Sequence, residues 1–404
     1  MGKTIPLLSL EAKIKRSLRR HLRELGFSRD RDGMLRPPGD SKDCLRSLHR
    51  MQRAEKIRNE GSFLNRVWPK LSKYFADGHE ISPMFMSPRL ELVNGGTWQS
   101  DLFRLASLIW SIPVSQGYGR RMRFIIWDDF NNKLIGIVGL GDPVFNLRVR
   151  DELISWNVED RKKRLASIMD AYVLGAIPPY SFLLCGKLVA TLIKTREIRD
   201  EFKNKYSTSK GIISGENKNA SLLMVTTSSA LGRSSIYNRL KLDGEYYFEP
   251  IGYTSGWGHF HIPQELFNLM REYLYEKGHK YADNNRFGQG PNWKIRVIRE
   301  TFIQLGITKD LLRHGIKREV FICKLASNAI KVLSGKAKDL EYQNLKAAKD
   351  VAALAKNRWV IPRAERFREY EMWKKENILR IIHTGIFPKR LVRPISSQEE
   401  LNFS

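Results

Sequence analysis

Apolar positions recur along the chain in two rhythms, one helical and one alternating, and the change between them divides the sequence. From Leu10 to about Tyr74 the spacing is helical: Leu10, Ile14, Leu18, Leu22 and Leu25 fall three or four apart, with Lys13, Lys15, Arg16, Arg19, Arg20 and Arg23 between them. Ser9 is placed to cap this helix, and Glu11 lies in its first turn, at the favourable end of the dipole. Ala12 stands where a full capping box needs Glu or Gln. Gly26 closes the helix, and the Asp-Gly, Pro-Pro and Gly-Asp pairs through Asp40 predict a loop. A second basic helical stretch follows from about Lys42 to Asn59.

The middle of the chain turns β-rich. Arg123–Trp127 and Lys133–Leu140, joined by Asp128-Asp129-Phe130-Asn131-Asn132, predict a hairpin. A polar helical stretch is expected from about Val158 to Leu174, opened by Glu159 and Asp160. An apolar strand, Tyr180–Leu184, should then run into a helix from Leu188 to Lys203, with a Ser/Gly/Lys-rich loop from Tyr206 to Asn219. Leu222–Thr226 reads as a buried strand, Ile236–Leu240 as a short helix and Glu249–Tyr253 as a further strand. Pro263 opens an amphipathic helix ended by Gly278, and another runs from Trp293 to Leu305. The tail from Lys336 to Asn377 is helix-forming and broken at Pro362. These signals predict a mixed α/β (α+β) chain: a basic helical region over 1–80, a mixed sheet over 81–262 and a mainly helical region over 263–404.

Charge sharpens this picture. The chain holds 70 Lys and Arg against 43 Asp and Glu, a net +27, far more than solubility needs. An excess of this size points to a polyanionic partner, and for a soluble chain that partner is usually nucleic acid, bound by phosphate neutralisation. The helical stripes supply the contacts expected for DNA: Arg16, Arg19, Arg20, Arg23, Arg50, Arg53 and Lys56. Hydrophobic residues at 42% are ordinary for a globular protein. No run of about 18 apolar residues predicts a membrane span. Cys44, Cys185 and Cys323 are far apart and match no zinc pattern, which suits reduced thiols in the cytoplasm.

Two segments carry candidate chemistry. Thr226–Ser235, rich in small hydroxyl residues with Gly232 and Arg233 between a strand and a helix, has the makings of an anion cradle, with Ser228 and Ser229 as ligand contacts. It lacks the Walker A spacing, and a Ser-rich cap and turn explains it equally well. Gly252–His261 offers close backbone approach at Gly256 and Gly258, a hydroxyl at Thr254 and stacking faces on Tyr253 and Trp257. His259 and His261, with Arg233, are the candidate catalytic groups; a glycine-kinked strand end with a buried histidine is the simpler description. Asp128 and Asp129 fit a turn; Asp142 with Asp151 could bind a metal but without a supporting pattern, and His259 with His261 would need a third ligand that no spacing suggests. No metal or cofactor is assigned.

Ile135–Pro143, Ser155-Trp156 through Arg164, Tyr253–His261, Gly290-Pro291-Asn292-Trp293 and Leu311-Leu312-Arg313-His314-Gly315 resemble the DruA family, the small basic component of bacterial Druantia anti-phage defence systems. The resemblance runs from about residue 80 to 330. It implies a role in defence beside other Druantia proteins, including a large helicase-like component, and brings no established catalytic residues. The order of strands in the middle region also resembles a GNAT-type acyltransferase fold, in which a hairpin precedes the strand whose following loop holds the acyl-CoA pyrophosphate. The matching segment, Leu184-Cys185-Gly186-Lys187-Leu188, keeps one glycine of the [RQ]-x-x-G-x-[GA] pattern. The sequence thus predicts a DNA-binding defence protein; the alternative is a transferase or nuclease acting on nucleic acid or a nucleotide-like ligand through Arg233, His259 and His261.

Overall fold

The computed structural model describes residues 8–115, 119–208, 220–283 and 291–387. Most of the loop expected between Tyr206 and Asn219 lies outside these residues, as does Gly290. The chain forms two compact units that do not follow its order. The smaller comprises residues 1–55, 230–232 and 253–318; the larger comprises 56–229, 233–252 and 319–404.

The larger unit is built on a seven-stranded sheet. Its strands are β1 (Pro88–Leu92), β2 (Arg121–Asp128), β3 (Lys133–Gly141), β4 (Ile168–Ala176), β5 (Met224–Ser228), β6 (Glu249–Tyr253) and β7 (Glu319–Lys324). Across the sheet they lie in the order β6-β7-β5-β4-β3-β2-β1. The first four strands pair antiparallel with their neighbours, β4 and β5 run parallel, and β7 is antiparallel to β5. The parallel pairing spans only Ile168↔Met224, Met169↔Val225 and Asp170↔Thr226, after which β4 continues for six residues without β5. One face of the sheet packs Phe124, Val138, Leu140, Met169 and Val225 against helices that include Cys185–Thr191, Arg196–Tyr206 and Ala348–Ala355. The other buries Ile125, Ile137 and Val173 beneath Gly61–Leu71 and Trp98–Ser107.

The predicted hairpin forms as β2 and β3, and its turn explains the two aspartates. Asp128 is fully buried and accepts hydrogen bonds from the Ser87 and Phe130 N–H groups and the Tyr180 hydroxyl, while Asp129 pairs with Arg89 at 2.9 Å. The helix predicted over 158–174 stops at Arg164, and its second half is strand β4. The strand predicted at 180–184 is a buried 3₁₀ turn, Tyr180–Leu183. A short apolar run does not distinguish a strand from a buried turn, and here Pro178-Pro179 stops β4 before it reaches those residues. The range expected to be mainly helical, 263–404, also holds strand β7.

The smaller unit is helical. Leu10–Glu24 starts under its predicted cap, the Ala12 N–H donating to Ser9 Oγ at 3.2 Å, an arrangement worth about 1 kcal/mol. Ile14, Leu18 and Leu22 pack with Phe267, Met270 and Leu274 of the helix Gln264–Glu276 and with Val297, Ile298 and Phe302 of the helix Pro291–Gln304. The second basic stretch is two helices, Lys42–Leu48 and Arg50–Asn59, which meet at the buried His49. Among the described residues no helix is long and apolar enough to cross a membrane.

Candidate functional site

Amphipathicity decides which cations reach the surface of the smaller unit. Burying Ile14, Leu18, His21 and Leu22 turns Lys13, Arg16, Arg19, Arg20 and Arg23 outward on the first helix, where all five are exposed. Arg20 meets Glu24 only at 3.8 Å between two exposed side chains, a contact worth little in water. Arg50 is exposed as well. Arg53 and Lys56 are not part of this surface: Arg53 is 6% exposed, and Lys56 donates to the Val114 carbonyl at 2.7 Å. Burial lowers the pKa of both. Sequence charge alone does not separate these two from the outward arginines.

The Tyr253–His261 segment folds back on Leu311–Arg318 as an irregular antiparallel ribbon. The Thr254 N–H donates to Arg318 O at 2.9 Å, Gly315 N–H to Gly256 O at 3.2 Å and Gly258 N–H to Leu312 O at 2.9 Å; Trp257 bridges Arg313. Thr254 Oγ1 accepts the Arg318 N–H at 3.1 Å. Gly256 has φ +67, and a Cβ there would lie 2.9 Å from the Gly315–Ile316 peptide. Its glycine therefore serves chain against chain.

Beneath the ribbon the histidines are packed rather than poised. His261 is 1% exposed and hydrogen-bonds the Leu311 carbonyl at 2.8 Å through Nε2. His314 receives the Ile316 N–H on Nδ1 at 3.2 Å, and its ring lies 5.8 Å from that of His261. His49 stacks on Phe260 at 4.4 Å, with Nδ1 2.9 Å from Gln52 Oε1 and Nε2 3.3 Å from an Arg318 nitrogen. Burial lowers His49, His259 and His261 to about 4 and His314 to about 3; Lys294 adds to the effect at His259. All four are neutral at pH 7, and no group of three metal-binding side chains is placed to hold an ion among the described residues.

Arg233 belongs to the other unit. It is exposed. The anion cradle predicted around it already holds a carboxylate of the same chain. Glu319 Oε2 accepts the Ser234 N–H at 2.9 Å and the Asn238 side-chain amide at 2.8 Å, while Ser234 Oγ caps the turn that follows. Ser229 is buried and donates its N–H to Glu319 O; Ser228 is exposed at the end of β5. The Asp142–Asp151 pair is likewise committed, Asp142 to Arg120 at 2.7 Å and Asp151 to Arg150 and Arg161, each at 2.6 Å.

A charged centre in the larger unit escapes the sequence reading. Arg150 is fully buried, and its guanidinium donates to Asp151 Oδ1 and to the Val144 and Phe145 carbonyls, each of these carbonyls at 2.9 Å. The Trp156 ring lies 5.6 Å from its Cζ. Asp170, at the last register pair of β4 with β5, accepts the Thr226 hydroxyl at 2.7 Å. Burial raises its carboxyl to about 6, against the opposing pull of Thr226 and Arg150. The signal was present in Ile168-Met169-Asp170-Ala171-Tyr172-Val173: a lone carboxylate inside an apolar run, visible once the run is read as a strand.

The family described as "Druantia protein DruA" matches residues 39–335. A curated protein of Escherichia coli (strain UMEA 4076-1), "Druantia protein DruA", is 50% identical over 372 residues, covering 92% of each chain. No solved structure matches the chain. With the family matched over residues 39–335 and this identity running nearly end to end, the chain belongs to the DruA family.

Proposed function

We propose that this chain acts in anti-phage defence, in the cytoplasm, as a DNA-binding member of a multi-protein Druantia system. Family membership carries the defence role. The partners it implies are the other Druantia proteins, among them a large helicase-like component. The single observation that carries DNA binding is the outward arginine row of the first helix, Arg16, Arg19, Arg20 and Arg23, in a chain of net charge +27. Those side chains extend from a helix anchored on its other face, so they meet phosphates with little backbone ordering to be lost.

The test is binding of a fluorescent duplex over a salt series. The logarithm of the affinity should fall linearly with the logarithm of salt, at a slope of about −0.9 for each phosphate neutralised. A salt-independent or undetectable affinity overturns the reading.

The larger unit is read as a GNAT-like core. Support comes from the hairpin β2–β3 ahead of β4, the parallel β4–β5 pair, and the turn and helix that follow β4. The helix Cys185–Thr191 starts without the glycine-rich pattern, and Lys187 lies over the Trp359 ring at 5.4 Å. Acyl-CoA is therefore not assigned. The second reading, an enzyme acting on nucleic acid or a nucleotide-like ligand, rests on Asp170 rather than on His259, His261 or Arg233. A carboxyl titrating near 6 where two parallel strands part is equipped to exchange a proton near neutral pH. Nuclease and transferase assays that show activity abolished in Asp170→Asn, with DNA affinity intact, would establish it.

A further inference from the structure

The ribbon made by residues 253–258 and 312–318 has a use that its hydrogen bonds leave open. Exposure alternates along both strands. Tyr253, Ser255 and Trp257 are exposed on one, Arg313, Gly315 and Lys317 on the other, while Gly256, His314 and Ile316 are buried between them. Trp257 and Arg313 are bridge partners, so their side chains leave the same side of the ribbon. Trp257 is 47% exposed and Tyr253 48%. The nearest acidic group to Arg313, Asp310, is 3.8 Å from its Nε, and both side chains are well exposed.

A single exposed aromatic residue on a protein surface means nothing. This one is held unusually firmly. The Gly258 N–H on its C-terminal side is bonded to the Leu312 carbonyl, and the Gly256 carbonyl on its N-terminal side accepts the Gly315 N–H. An exposed indole on a pinned backbone, with Arg313 as its bridge partner and Lys317 farther along the same strand, matches what an unpaired base with its phosphate needs: a flat face and a neighbouring cation. A paired base offers no such face, because its neighbours in the stack cover it.

We infer that this ribbon is a stacking platform for unpaired bases, so that the DNA bound by this chain is single-stranded or locally melted at the point of contact. The inference rests on the DNA-binding reading and deepens it: the arginine helix attracts phosphates of any strand, and the ribbon selects the unpaired one.

The experiment measures binding of full-length protein to a labelled (dT)20 strand and to a 20-base-pair duplex at one salt concentration. The proteins are wild type, Trp257→Ala, Trp257→Phe and, as a control outside the ribbon, Tyr275→Ala, an exposed residue of the helix Gln264–Glu276. Wild type should prefer the single strand. Trp257→Ala should weaken single-strand binding by roughly ten- to a hundredfold and duplex binding by less than about twofold. Trp257→Phe, which keeps a ring, should recover most of the loss, and Tyr275→Ala should change nothing. Circular-dichroism melts of all variants should coincide with wild type, which separates stacking from folding. Equal single-strand affinity in wild type and Trp257→Ala overturns the platform. If the duplex still binds in that case, only the ribbon inference fails. If neither strand binds, the DNA-binding reading falls and the ribbon inference with it.

Discussion

The two units bury polar chemistry in opposite ways. The smaller one packs neutral histidines inside and turns the arginines of its first helix outward; the larger one takes charge inside and neutralises it there. His49, His259, His261 and His314 are neutral at pH 7, whereas Arg150 is fully buried and charged against Asp151. A neutral imidazole satisfies buried backbone carbonyls and N–H groups without the desolvation of an ion, and that leaves the cationic surface to the solvent side. The smaller unit is thus built to present charge, the larger to hold a charged centre in place.

The largest consequence is a divergence under acid. The four histidines titrate at about 3 to 4 in the fold and at about 6.5 when unfolded, so the unfolded chain binds more protons over that interval. Their stabilisation is complete above about pH 6.5 and is lost as pH falls toward 4, at up to about 1.4 kcal/mol per pH unit for each histidine. Asp170 works in the other direction. Its folded pKa is raised, so its proton binds first in the native state and acidification through pH 6 to 4 adds stability to the larger unit. Hydrogen exchange at pH 5 should therefore show peptides from 257–276 and 293–318 losing protection ahead of 121–141. Simultaneous loss would contradict the comparison.

Next in size is the buried pair. Arg150→Met leaves Asp151 buried with only Arg161 and strips donors from the Val144 and Phe145 carbonyls, which should destabilise the larger unit by about 3–5 kcal/mol. Urea denaturation reads this loss, and a change below about 1 kcal/mol would show that the centre contributes little. The smallest effect belongs to Asp170→Asn. It should leave stability at pH 8 within about 1 kcal/mol of wild type and remove this group's share of the gain between pH 8 and pH 5, about 1.4 kcal/mol. An unchanged pH response would place the titration elsewhere.

Much of the smaller unit was legible because a helix states its own burial: the apolar rows of Leu10–Glu24 and Gln264–Glu276 mark the faces that pack. The sheet was legible where hairpin pairing is local, at β2 and β3, and obscure where partners are remote. Pro88–Leu92 is a five-residue edge strand interrupted by the Arg89–Glu91 pair, and Glu319–Lys324 finds its neighbours at 224–228, so neither declares itself locally. Strand β4 was hidden by a strong helix start at Glu159 and Asp160, and by a register shift opposite Gly139 and Leu140 that disturbs its alternation. Among site residues, the outward arginines followed from periodicity, but the burial of Arg53 and the Val114 contact of Lys56 are tertiary facts. So is the filling of the Ser234 cradle by Glu319, supplied from 85 residues away.

The central claim is that the smaller unit carries the DNA-binding charge, and matched charge removal tests it most directly. One variant replaces Arg16, Arg19, Arg20 and Arg23 with alanine; the other replaces four exposed cations of the larger unit, Lys163, Lys203, Arg239 and Lys241. Both lower the net charge equally. DNA binding measured over a salt series should lose affinity in the first variant, with a slope shallower by as much as about 3.6, and stay near wild type in the second. Equal losses in the two variants would mean that DNA responds to net charge alone, and the assignment of its binding to the arginine helix would be wrong.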